Sequence, residues 1–166
     1  MMPKMSTAFA LQAASDLAAY EVLSSTKTAL PRCHRLHYLQ MWLEKLCKAH
    51  VHGSNLPVDS FSHGVIAKVL PRLIAQYWRS LDFKGHPKLD EISALCREID
   101  RLHPQVNDGG RREDNVEYPW RSAEGIVYCP AQFDFAVAGR LQSQPGKLLL
   151  KAAALLTRNP SIFLGC

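Results

Sequence analysis

His37-Tyr38-Leu39-Gln40-Met41-Trp42-Leu43-Glu44-Lys45-Leu46-Cys47-Lys48-Ala49 decides the fold class of this chain. Leu36, Leu39, Leu43, Leu46 and Cys47 recur at spacings of three, four, three and one, the period of an amphipathic α-helix. Glu44 and Lys48 stand four apart in the order that favours an ion pair. The helix is expected from about Cys33 to His50, with Gly53 stopping it.

Working outward, helical signals fill most of the remaining chain. Thr7 to about Ala29 reads as a first helix with an apolar stripe of Leu11, Ala14, Ala18 and Val22, Leu17 and Ala10 beside it, ended by Pro31. His63 to about Trp78 carries a wide apolar face (Val65, Ile66, Val69, Leu70, Leu73, Ile74, Tyr77), the mark of a central helix, with a kink expected at Pro71. Pro87 opens a fourth helix whose core side is Leu89, Ile92, Leu95, Cys96 and Ile99, and Pro104 closes it. Residues Gln105 to Cys129 form a long irregular loop that contains the turn Asn107-Asp108-Gly109-Gly110 and an extended Ile126-Val127-Tyr128. A fifth helix is predicted from Pro130 to about Gln142, a break at Pro145-Gly146, and a last short helix from Leu148 to Leu156. The expectation is one all-α domain over residues 1–166, an antiparallel up-and-down bundle of four to six helices.

Composition narrows the function. At 166 residues the chain buries a core without disulfide or metal support. The five cysteines are odd in number and none is in CxxC spacing, which argues for free thiols in a reducing compartment. No apolar run reaches the roughly 20 residues of a membrane span, and Ala8 to Ala14, interrupted by Gln12, is a poor secretory signal. A cytoplasmic protein without membrane attachment is expected. The net charge of +5 permits an anionic partner. Its spread along the chain, with no run of five basic residues, excludes a basic tail. Phosphate-binding glycine loops, HExxH, GxSxG and paired CxxC motifs are absent, and no cofactor is expected.

The second helix resembles that of the HEPN family, in which a glutamine precedes a Glu-Lys-x-x-Lys-Ala segment. An alanine-rich first helix, Ser62-His63 opening a helix with Val69-Leu70 and Leu73, and Tyr118-Pro119 in the long loop follow the family's order. The resemblance implies a HEPN-like bundle, commonly dimeric and tied to nucleotides, RNA or toxin–antitoxin and defence systems. Ribonucleases of that family carry an arginine, four to six residues and a histidine on a late helix. Here no histidine follows His103, so the helix around Arg140 lacks that pair. Arg32 and His37, followed by Tyr38, have the spacing but sit at the start of the second helix.

Three constellations follow. Arg32, His34, Arg35 and His37 crowd positive and titratable groups at a helix start, where the helix dipole disfavours them unless an anion is near; an ordinary solvated face is the alternative, and the reading we favour from sequence. Arg32 and His37 are the candidate catalytic pair. Residues five apart on a helix point about 140° away from each other, which opposes direct cooperation. Arg111, Arg112, Tyr118, Trp120 and Arg121 form a second candidate nucleic-acid surface by stacking and charge. The alternative, Tyr118 and Trp120 as loop anchors, is the one we favour. Cys47, His50 and His52, with His63 as a fourth, lack the fixed geometry of a zinc site, so no metal is expected. The sequence therefore points to a non-catalytic nucleotide-, nucleic-acid- or partner-binding homodimer. The alternatives are a metal-independent ribonuclease using Arg32 and His37, or a purely structural protein that docks a partner.

Overall fold

A computed structural model describes residues 4–25, 30–54, 64–104 and 115–164. Among them the chain forms α1 (Met5–Ser25), α2 (Arg32–Ser54), α3 (Val65–Tyr77), α4 (Leu89–Asp100), a two-stranded antiparallel hairpin β1 (Trp120–Arg121) and β2 (Val127–Tyr128), a 3-10 turn at Pro130–Gln132, α5 (Ala136–Arg140), α6 (Gln144–Arg158) and α7 (Ser161–Leu164). The architecture is an all-α bundle carried by α1, α2, α3, α4 and α6. The short α5 is the remnant of the helix predicted from Pro130 to Gln142, and α7, too brief for a periodic signal, lies outside every predicted helix.

The α1–α2 seam is antiparallel, as descending pairs show. Phe9 stacks on His52 at 5.3 Å, Asp16 lies 3.4 Å from Lys45, and Tyr20 meets Trp42 at 5.7 Å. Of the expected stripe, Leu11 and Val22 are 65% and 59% exposed, whereas Ala10 and Leu17, read beside it, are buried together with Ala13. An alanine-rich helix is apolar all round, so periodicity alone does not choose its inner face. The face chosen keeps small side chains against α2 and brings Asp16 to Lys45.

The centre of the bundle is α2 rather than α3. It packs against α1, α3, α4, α6, α7 and the 3-10 turn. Its buried face includes Leu36, Leu39, Trp42, Leu43, Leu46 and Cys47, the periodic set read from the sequence with Trp42 added. The Glu44–Lys48 pair forms at 2.6 Å, and Gln40 donates to the same carboxylate at 2.7 Å. Both partners are largely buried, so this is an interior polar strip and not a solvated face.

Helix α3 runs through Pro71 without ending. Gly64 at its start has no side chain to offer, and Asp100, the last residue of α4, accepts hydrogen bonds from the backbone N–H groups of Ile66 (3.2 Å) and Ala67 (2.7 Å). That contact makes α3 and α4 antiparallel and satisfies two donors of the α3 first turn.

Burial raises the Asp100 carboxyl from 3.8 to about 7, against the pull of its two N–H donors. A raised carboxyl favours the fold most below its unfolded value near 3.8. That contribution is lost as the pH rises through about 7, because the native state then holds the extra proton less and less. Asp100→Asn is expected to remove this dependence. From about pH 5 to about pH 7.5 the stability advantage of the native protein over the variant should shrink by about 2 kcal/mol, read from urea midpoints. A constant difference between the two proteins would refute the assignment. Buried His50, its value lowered by desolvation, titrates alike in both.

Three further expectations are corrected. The helix predicted from Pro130 to Gln142 is broken, because Phe133 and Phe135 are extended (ψ 137° and 113°). Those rings pack on Trp120, at 5.0 and 6.4 Å. Pro145-Gly146 starts α6 and does not break the chain: Ser143 caps it by accepting from the Gly146 N–H at 3.3 Å. Proline in a first helical turn costs no hydrogen bond. Of the loop predicted over 105–129, residues 105–114 lie outside the described residues. Residues 115–129 are anchored: the Val116 N–H donates to the Leu102 carbonyl, Asn115 Oδ1 accepts from Glu117 and Tyr118, and Val127–Tyr128 pairs with Trp120–Arg121.

Candidate anion-binding corner

Where α1 gives way to α2, Leu23, Ser24, Leu30, Pro31, Arg32, His34 and Arg35 line a cleft of about 250 Å³. Pro31 precedes the first turn of α2, which contains no acidic residue, so the positive pole of the helix faces a set of cations, while the His34 N–H donates to the Pro31 carbonyl. Tyr20, its hydroxyl bonded to Ser24, lies close enough to Arg35 to feel its charge. Burial, the larger effect, raises the phenol.

The cations differ in their engagement. Arg32 forms an ion pair with Asp134, which precedes α5, and both side chains are mostly exposed. Such a pair contributes at most about 1 kcal/mol. Arg35 and His34 have no carboxylate partner among the described residues. The cleft thus presents two basic side chains without a carboxylate partner among the described residues and a third held in a surface pair.

His37 turns elsewhere. Its Nδ1 lies 3.6 Å from Glu117 Oε1, and its ring meets Tyr38 edge-on at 5.6 Å. Arg32 and His37 therefore each face a different carboxylate of the 115–135 segment, and His37 is not part of the cleft lining.

The second candidate surface divides. Arg111 and Arg112 lie outside the described residues. Trp120 is an anchor: it stacks on Tyr128 at 5.5 Å and meets Phe133 edge-on at 5.0 Å. Tyr118, expected beside it as an anchor, is 61% exposed. Arg121 is exposed and donates to the Gly125 carbonyl at 3.0 Å, closing the hairpin turn. Gly125 has a φ of +86°, which favours glycine there.

The residues weighed for metal binding take other work. Cys47 is fully buried, His50 packs edge-on to Tyr77 and Phe163, and His52 stacks on Phe9. His63 lies outside the described residues, and among the described ones no three potential ligands gather. No described helix is long and apolar enough to cross a membrane.

No family model, no curated protein and no solved structure matches this chain. The site therefore rests on its own geometry. Sequence reading found its basic residues but missed Tyr20, Ser24 and Leu30 on the α1 side. It also missed Glu117 and Asp134, the carboxylates that engage His37 and Arg32. No spacing links these residues; only the tertiary fold brings them together.

Proposed function

We propose that this chain is a non-catalytic, HEPN-like helical module that binds a phosphate-bearing partner, RNA or a nucleotide, at the α1–α2 corner. One observation carries this reading: Arg35 and His34, with no carboxylate partner among the described residues, share a cleft with Arg32 at the positive end of α2. Arginine and protonated histidine donate charge-assisted hydrogen bonds to phosphate oxygens, and a helix start adds backbone donors. The separate engagements of Arg32 and His37 favour binding over a ribonuclease reaction.

The reading includes a homodimer, in a toxin–antitoxin or defence setting implied by the HEPN resemblance. The exposed apolar stripe of α1 supports a second copy: Leu11 and Val22 flank Ala14, Ser15 and Ala18 in an order that reads large, small, large from either end. An antiparallel α1 pair sets each large residue against its counterpart, as a two-fold interface requires. The buried free thiols Cys33, Cys47 and Cys96 accord with a cytoplasmic setting.

The test is binding and cleavage of single-stranded RNA by the purified protein, with chelator present and salt titrated. We expect binding without cleavage. With about three phosphates engaged, the log–log salt slope should be near −2. Arg35→Glu should weaken binding by about tenfold or more. Binding indifferent to Arg35→Glu would remove the corner from the site. Cleavage that disappears with His37→Ala would establish the ribonuclease alternative. Light scattering reads the dimer, and a monomer would remove it.

A further inference from the structure

Helices α3 and α4 leave a groove of about 500 Å³ between them, on residues the corner does not use. Its lining follows helical rows. Ala67, Pro71 and Ala75 stand four apart on α3, and Leu89, Ser93 and Arg97 stand four apart on α4. Eight residues of helix rise about 12 Å, so the groove is two turns long. Because Asp100 ties the start of α3 to the end of α4, the two rows run in opposite directions with Ala67 at the Arg97 end.

The floor is made of small or short side chains, which lets another backbone approach closely. At one end Leu89 keeps 37% of its surface exposed, an apolar contact without a cover. The rim is cationic. Lys68 and Arg72, one turn apart on α3, flank the groove, and Arg97 faces them from α4. Arg72 and Arg97 have no ion-pair partner among the described residues; Lys68, also without one, lies close enough to buried Asp100 to feel its charge.

We infer that this groove docks an acidic amphipathic helix of a partner protein. Its apolar face lies on Pro71, Ala75 and Leu89, and carboxylates one turn apart meet Lys68 and Arg72. Three features select this occupant. The groove is open and elongated, as a helix requires and a single phosphate does not. The cations are spread along its length instead of converging on one point. The floor is apolar, and a nucleic-acid backbone gains nothing from it. Helix-in-groove recognition uses this combination of apolar anchors at helical spacing and charged flanks.

The test uses a fluorescently labelled synthetic helix with leucines along one face and glutamates every fourth residue beside it. Its binding to the intact protein is followed by anisotropy at low salt. Saturable binding is expected. Lys68→Glu with Arg72→Glu should weaken it by about tenfold, and the same peptide with lysine in place of glutamate should regain affinity for that variant. Both positions are exposed, and a circular-dichroism melt checks that the variant folds. Equal binding of the glutamate and lysine peptides, or no effect of the charge reversal, would overturn the proposal. So would a variant that loses RNA affinity while its peptide affinity is unchanged. Arg35→Glu should leave peptide binding intact, so the corner and the groove stand or fall separately.

Discussion

Replacing Trp42 by alanine is expected to destabilise the protein by about 3–5 kcal/mol, the usual cost of deleting a buried indole. Trp42 is 1% exposed at the middle of α2. One side of it meets the Tyr20 ring of α1, and its Nε1 donates to Thr157 Oγ1 of α6 at 2.8 Å. One residue thus joins three helices, and its removal opens a cavity that none of them closes alone. At roughly 2–4 °C per kcal/mol for a domain of this size, the melting temperature should fall by about 6–20 °C. Trp42→Phe should cost less, because it keeps ring packing and because Thr157 still donates to the Ala153 carbonyl at 2.9 Å. A Trp42→Ala protein that melts within about 2 °C of the native one would show that this three-helix junction is misplaced.

Gly146→Ala should also destabilise, by about 1–3 kcal/mol, although alanine normally improves a helix over glycine by about 1 kcal/mol. A Cβ built on Gly146 falls 2.6 Å from the Arg140 carbonyl oxygen and 2.6 Å from Leu141 Cα. Those are backbone atoms, so the turn between α5 and α6 must move to make room. Gly139, one helix earlier, supplies the opposite case. A Cβ there meets nothing within 4 Å, and Gly139→Ala should be neutral or stabilising. Thermal melts of the two variants should shift in opposite directions. A rise for Gly146→Ala would remove the close approach of α5 and α6.

Much of this fold is legible in the sequence, and the failures are informative. The leucine face of α2 follows directly from its spacing, whereas the burial of the polar Gln40, Glu44 and His50 comes only from the surrounding helices. The same reasoning failed on α1, where alanines and leucines lie on several faces and only the partner surface selects among them. Pro145 misled as a breaker because its effect depends on position: in a first turn it is compatible with a helix that it would interrupt further in. At the corner, the basic residues Arg32, His34 and Arg35 are visible because they are adjacent in sequence. Asp134 and Glu117 lie about 100 and 80 residues from their partners, and no local pattern announces such contacts.

The carboxylate of Asp100 also sets an order of events during synthesis. Helix α3 carries a proline, and the Ile66 N–H of its first turn finds its acceptor 34 positions later. Short helices nucleate poorly without such help. On a ribosome, α1 and α2 already hold the information for their own antiparallel seam, whereas α3 must wait for the end of α4 to emerge before its opening turn closes. We expect the nascent chain to form the α1–α2 hairpin first and the α3–α4 pair, jointly, afterwards.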